Sequence, residues 1–124
     1  MKNITITNAI SHATCTTAVD LDASAIITPT SSGYTASMIS KLRPKSPIIA
    51  TTSSEKVMRK LALSWGVYPV KCDDGKNIDE VLDNSIKSAK DAKYINNGEL
   101  VVVTSGSRPG VSGATNLLEV LVIS

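Results

Sequence analysis

The residues best equipped for chemistry lie in one short run, Thr30-Ser31-Ser32-Gly33-Tyr34-Thr35. Its four Thr and Ser residues carry hydroxyls that can donate to an anion. Gly33 lets the backbone approach a ligand closely, and the positive end of a following helix favours negative charge. Phosphate is the natural guest. No Gly-Lys-Ser/Thr follows, so the run is not a P-loop and triphosphate hydrolysis is not implied. The same residues also satisfy a turn and an N-cap for a helix starting near Thr35, and spacing alone does not separate the two readings.

A second run, Ser105-Gly106-Ser107-Arg108-Pro109-Gly110-Val111-Ser112-Gly113, sets Arg108 among glycines. Its guanidinium could clamp a phosphate through two parallel hydrogen bonds, with Gly110 allowing close approach. On pattern alone the plainer reading is preferred, a flexible connection with Arg108 solvated, because Gly-rich connections are ordinary. His12, the single histidine, reads as a residue on a helix face and supports neither a triad nor a His-rich metal site. Glu55, Asp79 and Glu80 fall at helix starts, where they suit the helix dipole. No pair of carboxylates is spaced for acid–base work.

Both runs need a scaffold, and hydrophobic periodicity supplies its outline. Asn8 to Leu21 reads as a first helix, with Ile10, Ala13, Thr17 and Leu21 on one stripe. Ala25 to Thr28 is a short buried strand stopped by Pro29. A second helix, Thr35 to Leu42, aligns Ala36, Met38, Ile39 and Leu42 before Pro44 ends it. Ile48 to Thr51 is the next strand, and Thr52-Ser53-Ser54-Glu55 matches a capping box. The helix it opens has Val57, Met58, Leu61, Ala62 and Trp65 as its apolar face, with Gly66 as a left-handed stop. Val67 to Val70 is a third strand, followed by the Asp73-Asp74-Gly75 turn. Asn77 with Glu80 repeats the capping logic, and Ile78, Val81, Leu82, Ile86 and Ala89 give the clearest helical period. After the Asn97-Gly98 turn come strands at Leu100 to Val103 and Leu117 to Ile123. The expected fold class is α/β: three layers, a mostly parallel five-stranded sheet with helices on both faces, and the last strand added antiparallel.

Residues 1–124 fit one domain, with no repeat, linker or low-complexity tract dividing them. Thirteen basic against 11 acidic side chains leave a charge of +2, and the aromatics are one Trp and three Tyr. That balance points to neither nucleic acid nor an anionic membrane as partner. Cys15 and Cys72 stand at no metal-ligand spacing and read as reduced, buried thiols of a cytoplasmic protein. No apolar stretch approaches the ~20 residues that cross a bilayer.

The stretch Lys41-Leu42-Arg43-Pro44-Lys45-Ser46-Pro47-Ile48-Ile49-Ala50-Thr51-Thr52 resembles the RPxxPIIAVT signature of the pyruvate kinase C-terminal domain. Ala25 to Thr30 with Ser32-Gly33, Leu61 to Pro69, and Gly113-Ala114-Thr115-Asn116-Leu117-Leu118 are similar to the same family in the same order, with a bacterial, Gram-positive-like flavour. The resemblance implies a non-catalytic domain that joins subunits, as a dimer alone and a tetramer in the parent, and that binds a phosphorylated effector. The family's effector loop falls on Thr30, Ser31, Ser32, Gly33, Tyr34 and Thr35, and its second effector loop on the segment with Arg108 and Gly110.

The family's catalytic residues lie on a (β/α)8 barrel of about 250 residues, with which its magnesium and potassium belong. No cofactor and no phosphoryl transfer are therefore expected of this chain alone. Tyr34 stands where the family often has Lys or Arg, and Ser107 where some fructose-1,6-bisphosphate-binding members have Trp. The effector is left open between a sugar phosphate and AMP. The other readings are a purely structural assembly domain, with Leu117 to Ile123 at a subunit interface, and a free-standing protein binding a phosphorylated metabolite.

Overall fold

A computed structural model describes residues 6–106 and 115–124. The chain forms α1 (Ile6–Asp20), β1 (Ala25–Pro29), α2 (Tyr34–Lys41), β2 (Ile48–Thr52), α3 (Glu55–Leu61), β3 (Val67–Lys71), α4 (Ile78–Asp91), β4 (Leu100–Gly106) and β5 (Thr115–Val122). The strands lie in one sheet in the order β3-β2-β1-β4-β5. β1 pairs parallel with β2 and β4, β2 pairs parallel with β3, and β5 closes the sheet antiparallel to β4. The expected fold class is borne out.

Alternation along β1, β2 and β4 sorts the core into two clusters. Ile26, Ile48, Ala50 and Val102 face α1, α2 and α3 through Ala18, Ala36, Ile39 and Leu61. Ala25, Ile27, Ile49, Val101 and Val103 face the other way, with Leu82 and Ala89 of α4. These central strands are apolar on both faces because helices cover both faces.

Some local expectations hold: Asn77 Oδ1 accepts the Glu80 N–H at 3.0 Å and caps α4. Gly66 is left-handed at φ +67°, but it does not stop α3, which ends at Leu61 with Ala62 as its C-cap. Others need correction. The cap of α3 is Ser54, whose Oγ accepts the Val57 N–H, whereas the Thr52 hydroxyl accepts the Ser54 N–H. Glu55 does not return to the cap and instead meets Lys71 Nζ at 3.1 Å.

Helix α3 stops at Leu61, so Ala62 and Trp65 fall in the following turn, where the Ser64 N–H bonds the Leu61 carbonyl. Trp65 is 46% exposed, with Arg43 stacked 5.3 Å from its ring. Leu42, the C-cap just beyond α2, is likewise exposed. Cys15 and Cys72 are half-buried free thiols, not fully buried ones.

The largest correction concerns α1. Its buried face is Thr7, Ser11, Thr14 and Ala18, while Ala13 is exposed and Leu21 lies beyond the helix in solvent. The sheet side carries small residues, and the longer Ile6 and Val19 point outward.

Candidate functional site

The short turn Leu21–Ser24 carries α1 into β1, and the turn at Thr30–Gly33 carries β1 into α2, so both helices run antiparallel to β1. They pack side by side. Their N-termini therefore meet at the carboxyl edge of the sheet, beside the end of β1. Neither has an acidic residue in its first turn, whereas α3 carries Glu55 there and α4 carries Asp79 and Glu80. The first turns of α1 and α2 thus offer no carboxylate to offset the helix dipole, which favours an anion.

The strand order sharpens the location. From β1 the chain builds outward to β2 and β3, then crosses to β4 and β5 on the other side. β1 and β4 are parallel neighbours whose continuations leave in opposite directions, the point at which open α/β sheets bind ligands.

The loop is organised by its own hydroxyls. The Thr30 N–H extends the sheet ladder to the Thr51 carbonyl at 2.9 Å. Thr30 Oγ1 accepts the Gly33 N–H at 2.7 Å, and Ser32 Oγ accepts the Tyr34 N–H at 3.3 Å. Each hydroxyl accepts in these bonds and keeps its own proton to donate. Gly33 takes φ +86°, and no side chain caps α2 from this position. The turn of the plainer reading is therefore present, closed by Thr30 and Ser32, while its N-cap position is held by Gly33 without a side-chain cap.

A methyl group at Gly33 would lie 3.2 Å from Leu61 Cδ2 and 3.4 Å from Val57 Cγ1. The loop is pressed onto α3. Ser31 and Tyr34 are exposed, Thr30 and Ser32 half-buried, and Gly33 and Thr35 buried.

Arg108 and Gly110 lie outside the described residues. Their segment joins Gly106, at the end of β4, to Thr115, and so leaves the sheet from the strand next to β1. His12 is exposed on α1. Among the described residues no three His, Cys, Asp or Glu side chains could hold a metal, so these residues do not fit a divalent cation site. No described helix is long and apolar enough to cross a membrane.

Two residues at this edge escaped the sequence reading, Thr28 and Thr104, both fully buried near the ends of β1 and β4. The available signal was strand alternation, which turns each inward beneath the loop.

Residues 8–121 match the family model for the pyruvate kinase alpha/beta domain. The chain is 53% identical over 116 residues to a pyruvate kinase of Clostridium acetobutylicum, covering 94% of this chain and 24% of that protein. It is 48% identical over 120 residues to one of Geobacillus stearothermophilus, covering 97% and 20%. A pyruvate kinase of Sporosarcina psychrophila is 43% identical over 122 residues, covering 98% and 21%. The chain thus spans a fifth to a quarter of the length of these relatives.

Proposed function

The chain belongs to the pyruvate kinase alpha/beta domain family, and from that membership we propose that it is a non-catalytic regulatory and subunit-assembly domain, binding a phosphorylated effector at the Thr30–Thr35 loop. The parent reaction is conversion of phosphoenolpyruvate and ADP to pyruvate and ATP, in cytoplasmic glycolysis. The observation that carries the effector reading is the pair of helix N-termini without acidic residues in their first turns, α1 and α2, at the edge that holds the Ser/Thr loop beside the β1–β4 crevice. Hydroxyl donors and helix dipoles suit a phosphate and offer no nucleophile with an adjacent base, so the site binds rather than transforms. The resemblance to the family assigns Arg108 and Gly110 to the same effector, which is a sugar phosphate or AMP.

A thermal-shift titration with fructose 1,6-bisphosphate, glucose 6-phosphate, ribose 5-phosphate, AMP and inorganic phosphate tests this. A saturable rise in Tm with at least one phosphorylated metabolite is expected. No shift with any of them removes the effector half.

The assembly half has its own support. β5 is an eight-residue edge strand with Val120 and Val122 exposed, while the opposite edge strand, β3, is interrupted by Pro69, which cannot donate to a further strand. β5 is the edge we assign to the homo-oligomer contact, and light scattering that finds only monomer at high concentration counts against it.

A further inference from the structure

Among the described residues, three buried hydroxyls find no hydrogen-bond partner: Ser11 Oγ, Thr28 Oγ1 and Thr104 Oγ1. Their side chains are 1%, 0% and 0% exposed. They belong to one place in the fold. Thr28 follows Ile26 by two residues and Thr104 follows Val102 by two, and Ile26 and Val102 both face the α1–α3 layer. The β1–β4 register runs Ala25↔Val101, Ile26↔Val102, Ile27↔Val103. One further step sets Thr28 beside Thr104 on that face.

Ser11 comes to the same height from α1. The lower end of the helix is anchored where the Ala23 N–H bonds the Ala18 carbonyl and the Ser24 N–H bonds the Leu100 carbonyl. From Ala18 back to Ser11 is two turns of helix, about 10 Å. From Leu100 to Thr104 is about 13 Å of strand. Ser11 on the buried face of α1 therefore reaches the level of the two threonines, at the carboxyl end of the sheet.

Buried polar groups are rarely left without partners, and three at one spot point to a shared ligand. Its chemistry follows from what lines the spot. The three groups are neutral hydroxyls sealed from solvent, with no carboxylate in the first turn of α1 or α2. An ion there would be desolvated without a counter-charge. An apolar group would leave all three hydroxyls unpaired. Water donates and accepts at once.

We infer that ordered water occupies this spot and bridges Ser11 of α1 to Thr28 of β1 and Thr104 of β4, so that the N-terminal half of α1 is seated on the sheet through water. The C-terminal half is seated differently, on the carbon contacts of Ala18, Ala23 and Val102. Buried water typically bonds about three polar groups, and three hydroxyls are offered here.

The test needs no effector and is independent of the effector reading. In the 124-residue chain, water-to-protein NOEs to the Thr28 and Thr104 hydroxyl protons should reveal long-lived water, and a high-resolution crystal structure should place it within hydrogen-bond distance of both. Thr28→Val and Thr104→Val each keep the shape and remove a hydroxyl. Each should lower Tm by about 3–5 °C, and the double variant should lose little more than the larger single, because one shared water is lost. Thr28→Ser, which retains the hydroxyl, should keep the NOE. Absence of the NOEs in the unmodified chain, or a valine variant with unchanged or raised Tm, overturns the inference.

Discussion

Cys72 lies just after β3, half-buried beside the Thr51–Ser85 hydroxyl pair, whose oxygens are 2.7 Å apart. Burial pushes its thiol above the ordinary value. Hydrogen bonds from Thr51 and Ser85 pull it back in part, and the carboxylates of Asp74 and Asp73 push it up again. Burial alone raises Cys15. A thiol whose folded pKa is raised holds its proton more tightly folded than unfolded. The stability this contributes is complete below the unfolded value, about 8.5, and is lost as pH rises through the raised folded value. Urea midpoints measured from pH 7 to 10.5 should therefore fall less steeply in the double variant Cys15→Ser, Cys72→Ser than in the unmodified chain; identical slopes would contradict this. At neutral pH both thiols should react with iodoacetamide more slowly than glutathione does.

Gly33 raises a second question at this scale. Its φ of +86° is one that side chains rarely adopt, and Leu61 leaves a Cβ only 3.2 Å. Gly33→Ala should cost about 1–2 kcal/mol of unfolding free energy in denaturant titration. It should also weaken ligand binding, because the Thr30 hydroxyl accepts the Gly33 N–H.

Among the elements, the four helices differ in how they treat their own N-termini. α3 and α4 open with capping side chains and acids. α2 opens on an uncapped glycine followed by Tyr34, which is 46% exposed and free to be exchanged without disturbing the core. Charge at that residue should then act on an anion at the helix end. Tyr34→Lys should tighten binding of the phosphorylated ligand found by thermal shift by roughly two- to fivefold, and Tyr34→Glu should weaken it by a similar factor. Isothermal titration at two salt concentrations measures both, and the gap should narrow at high salt. Equal affinities would place the anion elsewhere.

At the scale of the whole molecule, the two sheet edges are unequal. β3 is short, carries Pro69 and ends in Lys71. β5 is longer and apolar, with Val122 64% exposed and Val120 42% exposed. An unprotected edge of this kind is a template on which another chain can pair. Replacing both valines by lysine places charge on the outer face of β5 while leaving Leu121 and Ile123 in the α4-side core. The double variant Val120→Lys, Val122→Lys should scatter as a monomer at concentrations where the unmodified chain is larger, with far-UV circular dichroism unchanged. An unchanged mass would move the interface to another surface, for which the outward Ile6 and Val19 of α1 are the first candidates.

Much of this architecture was readable from residue order because it depends on near neighbours. The Ile-rich runs at 26–27 and 48–49, the Asn77 cap and the left-handed Gly66 are each decided within a few residues, and the alternation of such segments implies a parallel sheet. The Ser/Thr loop stood out for the same reason. What only packing decided is how the elements meet. The apolar period of α1 suggested that Ile10, Ala13, Thr17 and Leu21 face inward, yet Thr7, Ser11, Thr14 and Ala18 do. Ser54, not Thr52, caps α3 because the end of β2 holds Thr52 in the sheet. Strand order, and with it the meeting of α1 and α2 beside the β1–β4 crevice, joins residues about 75 positions apart, such as Thr28 and Thr104. Local propensity carries no information about such distant pairs. They are chosen by which faces the folded chain can bury together.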